Sequence, residues 1–221
     1  MKTAVLHYNM PVILKKSSRA KQVRFKIRQG NVILTVPQLG CVTKAFNFLD
    51  SHKEAVSRTL QKQYKVSYEP DSKILILGKE YTIRHSGRLR GGIHFSENEI
   101  IVNGYQITAK KRLKTFLATI LKKRASELAL KFSEKIGADF NNIIIRMMSE
   151  RWASCTNGGN LLFSTKLLFS PEWVFEYVVA HEICHLKEFN HSPRFWALVE
   201  SIYPAWREAR RWLKDEGKYI L

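Results

Sequence analysis

The sequence predicts an α+β protein, with a β-rich N-terminal region and a largely helical remainder in which one buried helix packs on a short sheet. Three observations predict this. Residues 1–105 hold short alternating stretches punctuated by glycine and proline. A long run at helical spacing follows Gln106. Beyond it, apolar strand-like segments alternate with helices that start at proline. The chain is therefore divided into 1–105, β-rich with one helix, and 106–221, the region expected to carry the chemistry.

In residues 22–28, Val23, Phe25 and Ile27 alternate with Arg24, Lys26 and Arg28, the pattern of a half-buried strand with one basic face. Gln29-Gly30-Asn31 reads as a turn, and Asn31 to Val36 as a second strand ended by Pro37, making a hairpin. Val12 to Leu14 adds an edge strand. From Thr43 to about Tyr64 the pattern is helical, with Phe46, Leu49, Val56 and Leu60 inward. Glu69-Pro70-Asp71-Ser72 turns into four short strands: Lys73 to Leu77, Tyr81 to His85, Ile93 to Phe95 and Ile100 to Val102.

Leu113, Phe116, Leu117, Ile120, Leu121, Leu128 and Phe132 then mark one long helix, stopped by Gly137. Asn142 to Met148 and Asn160 to Ser164 are strands, the second following an Asn157-Gly158-Gly159 turn. Pro171 is expected in the first turn of the next helix, where its missing N–H costs nothing. Ser192-Pro193 opens another, and Pro204 a last one ending near Gly217.

Composition narrows the class. The 37 Lys and Arg against 19 Asp and Glu leave a net charge of +18, and no acidic side chain precedes Asp50. Such a field attracts polyanions, so nucleic acid or nucleotide is an expected contact of the basic surface. No apolar run is long enough for a membrane span, and the N-terminus lacks a secretory pattern. Cys41, Cys155 and Cys184 form no Cys-x-x-Cys pair, which fits a reducing, cytoplasmic setting.

The strongest chemical signal is His181-Glu182-Ile183-Cys184-His185. Residues four apart share a helix face, so His181 and His185 can hold one metal ion. Glu182, offset by about 100 degrees, reaches a water on that metal rather than the metal itself. Tyr177, Val178, Val179, Ala180 and Ile183 make the helix apolar, and burying His, Glu and His there without a partner is costly. Catalytic zinc commonly takes three protein ligands. His191 and Glu200 are the candidates for the third, and His191 is favoured because it lies at the helix break, with Asn190 as a left-handed cap. Arg151 and Trp152 are candidate substrate contacts, with packing of Trp152 under the helix as the structural alternative. Arg151 and Tyr203 are candidate oxyanion helpers. Cys155 and Cys184 read as small core residues, and Phe195, Trp196, Trp206 and Trp212 as core aromatics.

Three blocks in order carry a family resemblance: Arg151-Trp152-Ala153-Ser154-Cys155, Tyr177 to His185, and Asn190-His191-Ser192-Pro193-Arg194-Phe195-Trp196. Together with Lys16-Ser17-Ser18-Arg19-Ala20-Lys21 and Val32 to Pro37, they make the chain resemble the YgjP-like zinc metallopeptidases, related to SprT-like proteases. The resemblance implies a zincin-like catalytic core, one zinc ion on His181, His185 and His191, and Glu182 as catalytic acid and base. Ala153 stands where the family usually has glycine, a change that would matter if the position needed a positive φ. Glu188 stands where metzincins carry a glycine, so the chain is not assigned to them.

The expected function is a zinc-dependent hydrolase, foremost a metallopeptidase acting on peptides or unfolded proteins. Two alternatives stand beside it: a hydrolase of phosphoanhydrides such as nucleoside triphosphates, and a basic nucleic-acid-associated protein with a structural metal.

Overall fold

The computed structural model describes residues 2–7, 10–28, 31–62, 66–88 and 91–220. The expected Gln29-Gly30 turn and the end of the helix near Tyr64 fall outside these residues. The fold is α+β, with two compact units drawn from residues 1–65 and 66–220.

The first unit holds a four-stranded sheet of β1 (Lys2–His7), β2 (Met10–Ser17), β3 (Arg24–Arg28) and β4 (Asn31–Pro37), in the order β1-β2-β4-β3. The β3–β4 hairpin pairs as expected, antiparallel. Val12 to Leu14 is not an edge: β2 runs parallel to β4 and antiparallel to β1, so it is interior. Alternation along β2 and β4 sends Val12, Val32, Leu34 and Val36 to one face. There they pack with Ala45 and Leu49 of α1 (Val42–Asp50) and Val56 of α2 (Lys53–Lys62). The single helix expected over this segment is thus two. Ser51 interrupts it, its hydroxyl donating to the Phe48 carbonyl at 2.8 Å. Both helices cover the same sheet face, so one apolar stripe continues across the break.

In the second unit, β5 (Lys73–Ile76), β6 (Lys79–His85), β7 (Ile93–Phe95) and β8 (Glu99–Val102) form a sheet in the order β5-β6-β8-β7. These strands group with residues 106–220 rather than with the N-terminal hairpin. One tie is visible at the β5–β6 turn, where Leu77 N–H donates to Leu168 O at 2.7 Å. Leu77 and Gly78 both have positive φ, 47° and 86°, as a tight two-residue hairpin requires.

Helix α3 (Gln106–Ile136) is one continuous element ended by Gly137 at φ 61°. Leu113, Leu117, Leu121, Leu128 and Phe132 are buried, so the periodicity marks the true inner face. The third sheet has the order β10-β11-β9, from β9 (Asn142–Arg146), β10 (Ala153–Cys155) and β11 (Asn160–Ser164). A short 3₁₀ turn (Thr165–Phe169) leads to α4 (Glu172–Cys184), with Pro171 as its N-cap, just before the first turn. Then come α5 (Pro193–Ile202) and α6 (Trp206–Asp215). Helix α4 is apolar nearly all round and packs against α3, α5, α6 and β10, which is why it is buried. Arg124 of α3 fastens its first turns, reaching Glu172 at 2.8 Å and Glu176 at 3.3 Å. No helix among the described residues is long and apolar enough to cross a membrane.

Candidate metal centre and active site

His181 and His185 project from the last turn of α4, one helical turn apart. The helix stops at Cys184, and His185 is its C-cap in right-handed geometry. Leu186, Lys187 and Glu188 then turn the chain, their N–H groups donating to the carbonyls of Ile183 and Cys184. Asn190 is therefore not a left-handed cap; the reversal is complete before it, and no positive φ occurs there. Ser192 is the N-cap of α5, its Oγ accepting from Phe195 N–H at 3.3 Å, with Pro193 in the first turn. His191 is the residue before this cap, so a defined helix start sets its position.

The three imidazoles meet. One nitrogen from each lies within 4.8 Å of the others, and His181 Nε2 is 3.0 Å from His191 Nε2. Two ligands about 2.05 Å from a tetrahedral zinc stand about 3.3 Å apart, so the spacing suits a shared small cation. His185 Nδ1 faces the Glu188 carbonyl at 3.0 Å, which places the proton on Nδ1 and turns the Nε2 lone pair toward the cluster. Tyr177 Oη lies 3.4 Å from His181 Nδ1. Phe195 is buried beneath, stacked on His185 at 4.5 Å between centroids, and Trp196 stacks on His191 at 5.6 Å. Burial, reinforced by the two neighbouring imidazoles, lowers the His181 pKa to about 3, and burial also lowers that of His185. Both rings are thus neutral at physiological pH, the form that binds metal. The donor set therefore fits a zinc-type ion.

Glu200, the competing ligand, is committed elsewhere: its carboxylate meets Arg207 at 2.7 and 3.3 Å, and that partner holds its pKa down.

Glu182 is buried, with its pKa raised to about 8 by desolvation and opposed by the Cys155 N–H and the Arg151 charge. Its Oε2 has no hydrogen-bond partner, and the Cys155 N–H favours the charged form of the carboxylate. The register explains why that N–H is free of the sheet. Ser164 N–H donates to Trp152 O and Thr156 N–H to Asn160 O, so residues 152 and 156 face β11. Ala153 and Cys155 must then turn their backbone groups to the open edge, where Cys155 meets Glu182. Ala153 sits in regular strand without positive φ, so alanine is accommodated.

Of the remaining expected contacts, Arg151 is exposed and acts on Glu182 through its charge. Trp152 lies against Gly217, where an added Cβ would sit 2.8 Å from Cζ2, so its ring packs on the C-terminal turn. Tyr203 donates its hydroxyl to the Trp173 carbonyl at 2.6 Å, and its ring packs near Tyr177. Cys155 and Cys184 have thiol pKa values pushed by burial to about 11 and about 12, which keeps both inert. Sequence reasoning missed Tyr177 and Arg210 as neighbours of His181; Arg210 acts on it electrostatically and lies over the Trp196 ring at 4.9 Å. It also placed Trp196 in the core, whereas it is half-buried on His191.

A comparison with curated proteins finds no match. Two solved structures resemble part of the chain. The metallopeptidase zymogen abylysin of Pyrococcus abyssi is 24% identical, over 42% of this chain and 95% of that one, at a TM-score of 0.38. The zymogen jannalysin of Methanocaldococcus jannaschii is 17% identical, over 42% and 88%, also at 0.38. The YgjP-like, metallopeptidase domain family matches residues 21–216, nearly the whole sequence, and the chain belongs to that family.

Proposed function

We propose that the chain is a zinc-dependent metallopeptidase that cleaves extended peptide or unfolded protein, with His181, His185 and His191 as ligands and Glu182 as general base. The observation that carries this reading is the Glu182 carboxylate: it follows His181 on α4, it is buried, and its Oε2 is left without a partner. A structural metal site has no use for such a group. When bound, the ion supplies Lewis acidity, lowering the pKa of water toward about 7 and polarising a carbonyl.

The protein residues do the rest. Glu182 Oε2 is the group that takes a proton from the attacking water and returns it to the leaving amine. A pKa near 8, which a cation on the histidines would draw further down, suits that exchange near neutral pH. His185 is oriented by the Glu188 carbonyl, and Phe195 closes the floor against water. Along the open edge of β10, the Ala153 N–H and C=O are placed to pair with an extended substrate as an added strand. That mode favours peptide over nucleotide.

The test is mass spectrometry of peptides and nucleoside triphosphates incubated together with zinc-loaded protein, beside Glu182→Gln. Peptide products absent from the variant support the proposal. Loss of phosphate without peptide cleavage moves the function to phosphoanhydride hydrolysis.

A further inference from the structure

The charge of this chain is unevenly placed. Residues 1–65 contain 13 Lys and Arg against Asp50 and Glu54 alone, so they carry +11 of the +18. The three clustered histidines and Glu182 all lie outside this segment.

The sheet register shows where much of it goes. Strands β2, β3 and β4 direct Val12, Leu34, Val36 and Phe25 toward α1 and α2. Their alternate residues form the opposite face, away from α1 and α2. Across it, Lys15 pairs with Thr35 and Thr35 with Arg24; one row on, Ile13 pairs with Ile33 and Ile33 with Lys26. Lys15, Arg24 and Lys26 are exposed, and Ile13 and Ile33 are half-buried. The segment between β2 and β3 adds exposed Arg19 and Lys21, which line a concavity of about 390 Å³ together with Ala20, Gln22 and Arg24. Both acids of the unit lie on its helices, where Asp50 bonds His7 at 2.6 Å and Glu54 meets Arg58 at 3.5 Å.

We propose that this outer sheet face, with Lys15, Arg19, Lys21, Arg24 and Lys26, binds the phosphate backbone of a nucleic-acid duplex. Charge complementarity selects a polyanion. Arg24 and Lys26, two residues apart on one strand, stand roughly 7 Å apart and form a comb suited to successive phosphates. The face offers Lys, Arg, Thr and Ile, with Ala4 and Leu6 of β1 at its edge, but no aromatic ring among its described residues, so unstacked bases would find no platform. A duplex keeps its bases stacked inside and presents only phosphates, which is what this surface can hold.

The test is fluorescence anisotropy of the full, zinc-loaded chain with a labelled DNA duplex about two turns long, titrated at several salt concentrations. Five phosphate contacts predict a slope of log K against log salt of about −4.5, hence about 500-fold weaker binding between about 50 and about 200 mM. The variant K15Q/R24Q/K26Q should flatten the slope by about 2.7 and weaken low-salt binding at least about tenfold, with an unchanged melting temperature. K111Q/K122Q/K123Q removes the same charge from exposed positions of α3 and should leave the affinity within about twofold. Equal losses in both variants, tighter binding to the matching single strand, or binding to phosphatidylserine vesicles but not to the duplex would each overturn the proposal. The readout does not use peptide cleavage, so it stands apart from the peptidase reading.

Discussion

Replacing Glu182 by Gln in the metal-free protein isolates the cost of holding a carboxyl group in the wall of the active helix. Burial raises its pKa from the ordinary 4.5 to about 8, so the folded chain binds the proton more tightly than the unfolded one. Its contribution to stability is therefore full below 4.5 and is lost as pH rises, until the folded value near 8 is passed. At about 1.36 kcal/mol per unit, the loss across the whole window is roughly 5 kcal/mol, of which roughly 2 falls above pH 6.5. His181 has the opposite sign. Its pKa is lowered from 6.5 to about 3, so its contribution is present above 6.5 and lost as pH falls toward 3. The two offset each other between 4.5 and 6.5, and of the two only Glu182 acts above that range. Glutamine does not titrate. Urea unfolding of chelator-treated wild type and Glu182→Gln, from about pH 6.5 to about pH 9, should show the wild type losing roughly 2 kcal/mol more than the variant. Parallel curves would mean that Glu182 titrates normally, and the buried, half-satisfied carboxylate would have to be abandoned.

Other consequences follow from the same geometry. His191→Ala should weaken zinc binding by more than about 100-fold in a chelator competition, since loss of an outer-shell partner alone costs about 10–100-fold. Glu200→Ala, which only frees Arg207, should leave zinc affinity within about threefold in that assay. Ser192→Ala removes the cap that places His191; urea unfolding should show a loss of about 1 kcal/mol, accompanied by weaker zinc binding. Gly217→Ala sets a methyl group 2.8 Å from the Trp152 ring, and calorimetry should register about 1–3 kcal/mol of destabilisation. Wild-type stability in Gly217→Ala would show that the ring is free to move aside.

Local rules carried much of this structure. Alternation located β3 and β4, Gly137 ended α3, and the four-residue spacing put His181 and His185 on one face. Each depends on a few residues close in sequence. What was hidden depends on distant ones. The interior position of β2 comes from its parallel pairing with β4, which no local pattern encodes. The break at Ser51 was masked because Leu49 and Val56 face the same core on either side of it. Asn190 drew the left-handed assignment by residue type, whereas the turn is made through the carbonyls of Ile183 and Cys184. At the site, the motif located His181, Glu182 and His185 but not the residues packed around them. The Cys155 N–H reaches Glu182 only because β10 is an edge strand, and Trp196 reaches His191 only because Ser192 starts α5 where it does.

The most direct measurement is zinc content and peptide turnover determined side by side in wild type and Glu182→Gln. One zinc per chain is expected in both proteins, with turnover in the variant lower by at least about 10²-fold, the usual share of a general base. A variant that keeps its zinc and cleaves within a few-fold of wild type would show that Glu182 is not the base. A variant that loses its zinc would show that the carboxylate belongs to the metal rather than to the water.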